Sequence, residues 1–257
     1  MLTQTERARV FADLHQKGAP VILFNAWDAG SAAVIEKAGA KAIATGSWPV
    51  AAAQGFDDGE NIPLDLAVEN IRRITSLVDV PVSADIEGGY GVSSQEVANT
   101  ASRMVEAGAI GFNFEDQVVG SSDLYDITEQ ASRIAAVRKA INGLCDNIFI
   151  NARTDIFLKA APDTHTAAML DHAIERAEAY AEAGANGFFA PGLANENLIE
   201  RLCSSTDLPI NIIALPHVPD TKTLASLGVA RISYGPVPYK RMTAWLEEEA
   251  RQALSQL

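Results

Sequence analysis

Short apolar runs of β character recur along the chain at residues 21–26, 42–46, 81–87, 111–116, 148–155, 187–191, 209–215 and 231–234, eight in all. Between most of them the apolar positions switch to helical spacing, as at Leu66, Val68, Ile71, Ile74 and Val78, or at Ile174, Ala177, Tyr180 and Ala181. Strand then helix, repeated, predicts a parallel sheet with its helices outside. A weak internal repeat marks the joints. Lys37-Ala38-Gly39-Ala40, Glu106-Ala107-Gly108-Ala109 and Glu182-Ala183-Gly184-Ala185 each close a helix before a strand, and Leu227-Gly228-Val229 is a degenerate copy. Glycine suits the left-handed residue that ends a helix. Eight such units in 257 residues predict one α/β domain, a (β/α)8 TIM barrel over 1–257. The alternative, an open doubly wound sheet, would want a G-x-G-x-x-G loop after its first strand, where the chain reads Asn25-Ala26-Trp27-Asp28-Ala29-Gly30-Ser31.

Two segments depart from the repeat. Residues 3–16, with Val10, Phe11 and Leu14 apolar, predict an extra N-terminal helix covering the bottom of the barrel. Residues 47–64 show no periodicity and predict a long loop, of the kind that forms lids and binding sites. Residues 117–126 are the next such candidate on the same face.

Composition narrows the function. Lys plus Arg number 20 against 33 Asp plus Glu, and the formal charge of −13 excludes a nucleic-acid groove. No apolar run approaches the roughly 18 residues of a membrane span. Residues 1–9 are polar where a secretion signal has an apolar core, so a cytoplasmic protein is expected. Cys145 and Cys203 belong to no paired motif and are expected to be reduced, structural thiols.

In a barrel the reacting groups come from the carboxyl ends of the strands. Those positions hold Asp28, Ser47, Asp85, Glu87, Glu115, Asp116, Arg153 and Asp155. Asp85 and Glu87, two apart, are expected on one face, with Glu115 at the matching end of the next strand. Three carboxylates without a local lysine suit a hard divalent cation, Mg2+ or Mn2+; a solvated strand end in an acid-rich chain is the plainer account. Arg153 inside an apolar strand needs a carboxylate or phosphate partner, and Asp155, Glu115 or a substrate could serve. The four histidines have no ligand spacing, and His217 is expected to line a pocket or the core. The lysines lie on helices, helix ends or strand starts, which argues against a Schiff-base mechanism. A triad on Ser47 lacks a matching histidine.

Four stretches together resemble the isocitrate lyase and phosphoenolpyruvate mutase superfamily: residues 24–32, Ala84-Asp85-Ile86-Glu87-Gly88-Gly89-Tyr90-Gly91, Phe112-Asn113-Phe114-Glu115-Asp116-Gln117 and Asn151-Ala152-Arg153-Thr154-Asp155. The resemblance implies a (β/α)8 barrel, Mg2+, and cleavage or formation of a C–C or P–C bond beside a 2-oxo carboxylate through an enolpyruvate-like species. It implies Asp85 as the direct metal ligand, with Glu87 and Glu115 holding metal-bound water. Arg153 is similar to the family's substrate-contacting arginine, and Ser47 falls in the segment that grips the substrate carboxylate. Asn25 and Trp48 join Ser47, Asp85 and Arg153 as substrate-binding candidates; Asp58 resembles an aspartate entering from the second loop and joins Arg153 and Glu115 as catalytic candidates.

The chain also departs from the pattern. The Lys-Arg/Lys-Cys-Gly-His loop of isocitrate and methylisocitrate lyases is replaced by residues 117–126, without cysteine or histidine, and the Lys and Asn of phosphonopyruvate enzymes are missing too. Leu124-Tyr125-Asp126 resembles the group labelled carboxyvinyl-carboxyphosphonate phosphorylmutase-like, a family label and not an activity. Three functions stay open: a Mg2+-dependent C–C lyase on a small 2-oxo or 2-hydroxy dicarboxylate, a P–C mutase or hydrolase, and an inactive carboxylate-binding barrel. A homo-oligomer, dimer or tetramer, is expected. The helix over 239–254 is expected to finish the eighth unit without exchange between subunits.

Overall fold

The computed structural model describes residues 2–255. The strands are β1 (Val21–Leu23), β2 (Asn25–Ala26), β3 (Ile43–Thr45), β4 (Val82–Asp85), β5 (Gly111–Glu115), β6 (Phe149–Arg153), β7 (Gly187–Phe189), β8 (Ile210–Ile213) and β9 (Arg231–Ser233). All neighbours pair in parallel, in the order β1-β9-β8-β7-β6-β5-β4-β3-β2. β1 and β2 are the two halves of the first predicted run, parted at Phe24. The first half pairs with β9 (Val21 opposite Arg231) and the second with β3 (Asn25 opposite Ala44), which brings the ring round on itself. This is a (β/α)8 barrel with its first strand split.

The outer helices are α2 (Ala29–Lys37), α4 (Leu64–Leu77), α5 (Ser94–Glu106), α6 (Ile127–Ile141), α7 (Ala167–Glu182), α8 (Glu196–Ser205) and α9 (Thr221–Ser226), joined by α1 (Gln4–Asp13), α3 (Ser47–Ala53) and α10 (Val237–Leu254). Each barrel helix buries one stripe, such as Val97, Ala101, Met104 and Val105 of α5, while its capping box of Ser93 and Glu96 fixes where it starts. The repeat glycines Gly39, Gly108, Gly184 and Gly228 close their helices with φ between 91° and 104°. α1 plugs the bottom as expected: Phe11 meets Phe149, the first residue of β6, edge-on at 5.5 Å, and His15 stacks on the same ring. Burial, with the nearby Arg231 cation, pushes the His15 pKa down to about 3, so this histidine stays neutral.

The barrel interior is more polar than its apolar strands suggest. Ser83, Asn113, Asn151, Asn211 and Arg231 are all buried there. Asn151 donates to Asn113 at 2.9 Å and to Asn211 at 3.1 Å, and Arg231 donates to Asn113 at 3.1 Å. Among the described residues Arg231 has no carboxylate partner, and burial lowers its pKa to about 9.

Three expectations need correction. The 47–64 segment is not all loop: α3 forms on Ser47–Ala53, too short to show periodicity, with Gly46 before it and small alanines that permit it. Residues 117–126 fold into a tight hairpin, Val118 donating to Asp123 at 3.0 Å, and Tyr125 is buried under the Arg133 guanidinium 3.9 Å from its ring. α10 does not finish the eighth unit: Pro238 is its buried residue, while Trp245 is 62% and Leu254 72% exposed. Ile22, Phe24 and Val34 line a separate groove and are themselves exposed. No described helix is long and apolar enough to cross a membrane. Cys145 and Cys203 are buried free thiols, as expected.

Candidate active site

The carboxyl ends of the strands surround a cavity of about 260 Å³. Asn25, Ser47, Trp48, Asp58, Asp85 and Arg153, all site candidates from the sequence, line it. Asp85 ends β4 and reaches the cavity. Its Oδ2 accepts the Ser47 backbone N–H at 3.2 Å and its Oδ1 that of Glu87 at 3.3 Å, so the first turn of α3 is tied to the carboxylate. Asp58 projects from the loop between α3 and α4.

Arg153 ends β6 and faces two acids at once. Its Nε and Nη2 donate to the two oxygens of Asp155 at 2.6 and 2.8 Å, and its Nη1 lies 2.8 Å from Glu115. Burial works against its charge, but Glu115 and then Asp155 overcome this and raise its pKa. Of the sequence alternatives for Arg153, the ion pair with Asp155 and Glu115 is present, and the side chain also lines the cavity.

Glu87 and Glu115 are placed differently from expectation. Neither lines the cavity. Glu87 lies beyond the end of β4 in the left-handed region, φ 51°, which takes its side chain out of the alternation shared with Asp85. Its Oε2 instead accepts the backbone N–H groups of Gly59 and Glu60, each at 2.9 Å, and so anchors the loop that carries Asp58. Glu115 is turned to Arg153. Among the described residues no three His, Cys, Asp or Glu side chains are arranged to hold one metal ion directly. The expectation of three carboxylates converging on one cation is therefore corrected to one carboxylate at the cavity with two behind it.

The charge balance still fits a cation. Among the described residues, Asp58, Asp85, Glu87, Glu115 and Asp155 stand at or behind the cavity against two cations that line it, Arg153 and Lys240. Burial, then repulsion from Asp85 and Asp58, lifts the Glu87 pKa to about 8, and burial raises Asp85 and Glu115 as well. Buried acids that hold protons this tightly signal missing positive charge. A hard divalent ion taken by Asp85, with Glu87 and Glu115 acting through water, would supply it.

Other strand-end residues have structural duties. Asp28 caps α2 by accepting Ser31 N–H at 2.7 Å. Asp116 is buried between Arg176 and Tyr180, each at 3.0 Å. Asn25 lines the cavity with its amide already engaged: it donates to Thr45 at 2.9 Å and accepts from Tyr234 and Gly235 at 2.9 and 2.8 Å. His217 is exposed and lines neither cavity nor core. Sequence reasoning missed Asn113 on the floor, Leu158 and Phe189 on the wall, and Lys240 from the first turn of α10. Lys240 was set aside as a helix residue, yet only six residues separate it from the end of β9.

A parallel barrel whose strand ends bring acids and one arginine to a single cavity defines a class of (β/α)8 enzymes with an acidic active site. The chain belongs to the phosphoenolpyruvate phosphomutase family, matching it over residues 11–254, within a superfamily of lyases and mutases. It is 32% identical over 228 residues to 2-methylisocitrate lyase of Escherichia coli, covering 85% of this chain and 74% of that protein. A crystal structure from Burkholderia cenocepacia, provisionally described as a phosphonomutase, is 46% identical with a TM-score of 0.94, covering 98% of this chain and all of that one. Phosphonopyruvate hydrolase, solved with oxalate and Mg2+, shares the fold at 22% identity and a TM-score of 0.83, over 99% of this chain and 88% of that one.

Proposed function

We propose that the protein is a Mg2+-dependent lyase that cleaves a C–C bond beside a 2-oxo or 2-hydroxy carboxylate. The observation that carries this reading is Asp85 at the cavity, bonded to the Ser47 and Glu87 N–H groups, with Arg153 lining the same cavity and held against Glu115. Asp85 would hold Mg2+ directly, with Glu87 and Glu115 holding its waters. The chemistry such an ion supplies is stabilisation of the negative charge that develops on the 2-oxo oxygen. Ser47, at the first turn of α3, would bind the substrate carboxylate by its hydroxyl and the helix N-terminus. Arg153 would orient the substrate from the β6 side, and Asp58 is the acid placed to accept or return a proton. Trp48 and Pro49 narrow the mouth and help to exclude water. The lyase relative from Escherichia coli supports the same assignment.

A P–C mutase or hydrolase is the second reading, favoured by the Burkholderia cenocepacia relative. We infer further that copies of the chain associate, because Trp245, Leu246 and Leu254 of α10 and the groove of Ile22, Phe24 and Val34 are left uncovered. A cytoplasmic setting suits the reduced, buried cysteines.

The test is calorimetric titration of oxalate, a planar dicarboxylate, into the protein with Mg2+, with EDTA, and with Asp85→Ala. Binding that needs Mg2+ and is lost in the variant is the expected result. No binding under any condition overturns the Mg2+ reading. Turnover of 2-oxo dicarboxylates against phosphonopyruvate then separates the two chemistries, and binding without turnover of either assigns the inactive barrel.

A further inference from the structure

We propose that Lys240 is the residue that receives the second anionic group of the substrate and so sets the preference for it; this rests on the lyase reading of the same cavity. Two cationic side chains line the cavity, Arg153 and Lys240. Arg153 is committed before any ligand arrives, since its Nε, Nη1 and Nη2 each face a carboxylate oxygen of Asp155 or Glu115 within 2.8 Å. Lys240 has no carboxylate within 4 Å among the described residues; its Nζ lies 4.8 Å from the centroid of the Trp48 ring. Stacking on an aromatic face holds an ammonium in place without neutralising it. Trp48 is itself braced, edge-on to Tyr239 at 5.8 Å, the residue before Lys240. The ammonium is therefore held at the cavity with its charge free.

The wall is apolar, formed by Leu158, Phe189, Pro191, Ile213 and Leu215. A ligand that satisfies all three surfaces has a 2-oxo carboxylate towards Asp85 and Ser47, a short carbon segment, and a second anion towards Lys240. Among the described residues no other lysine or arginine lines the cavity, and the 117–126 hairpin contains none. In a chain of formal charge −13, an anionic tail gains little from the general field and needs a local cation.

The probes are 2-oxoglutarate and 2-oxopentanoate, which share the 2-oxo end and differ in a terminal carboxylate or methyl, titrated with Mg2+ into the full chain. The wild type is expected to prefer 2-oxoglutarate by roughly threefold, the ordinary scale for one charge pair at an exposed ammonium such as Lys240. Lys240→Met should bring the ratio close to one, and Lys240→Arg should restore it. A ratio near one in the wild type, a preference that survives Lys240→Met, or failure of 2-oxoglutarate to bind where oxalate binds overturns the inference and leaves the lyase reading standing. Failure of oxalate itself to bind with Mg2+ overturns both.

Discussion

Glu87 illustrates how one backbone angle redirects a functional group. Its parity with Asp85 in the sequence points both side chains into the barrel, but φ of 51° turns Glu87 to the Gly59 and Glu60 amides. Its pKa of about 8 has a definite consequence for stability. The unfolded chain releases this proton near pH 4.5 and the folded one near 8, so metal-free protein loses stability as pH rises through that interval. Glu87→Gln should therefore melt higher than the wild type at pH 8.5 without metal, by on the order of 5 °C, and the difference should shrink towards pH 5. Calorimetric melts across pH measure it; a variant that melts lower at pH 8.5 contradicts the assignment. Arg153 makes the opposite prediction. Removing it in Arg153→Met strands Glu115 and Asp155 without their cation, at a cost of about 3–5 kcal/mol. The melting temperature and oxalate affinity should fall together, and an unchanged melt would sink the buried-triad account.

At the level of elements, Asp58 was named only through the family resemblance, whereas Asp85, Ser47 and Arg153 were legible because strand ends are fixed by a period-two pattern. The helices were legible for the same reason, with a period of 3.6. α3 was not: seven residues with alanines at the end carry no usable periodicity, and its start is set by Gly46 and the bond from Ser47 to Asp85. α10 was recognised as a helix but misplaced, since amphipathic spacing shows that a face will be buried and not against what. Trp245→Glu should leave helical content intact while lowering the sedimentation coefficient, if copies meet through α10. The same sedimentation profile in both proteins would remove α10 from the interface. The repeat glycines offer a control for fold without site. A Cβ on Gly108, at φ 98°, would stand 2.8 Å from Thr75, so Gly108→Ala should cost about 1–3 kcal/mol with oxalate affinity unchanged.

At the scale of the molecule, the barrel holds its acids close together and leaves them short of positive charge. Saturating Mg2+ should raise the melting temperature of the wild type by roughly 5–10 °C at concentrations near a hundredfold above Kd. Asp85→Asn should abolish most of that shift, as read by melts with Mg2+ and with EDTA. The sequence by itself determined the eight strand runs, the helices between them, the plugging helix and the strand-end residues, because local periodicity and turn chemistry are properties of neighbours in the chain. Only the tertiary structure decided which of those residues share the cavity, that Arg153 is already occupied, that Glu87 serves the loop carrying Asp58, and that Lys240 faces Trp48. These depend on distances between residues tens to hundreds of positions apart, on burial that reweights their charges, and on single dihedral angles that no pattern of hydrophobic and polar positions encodes.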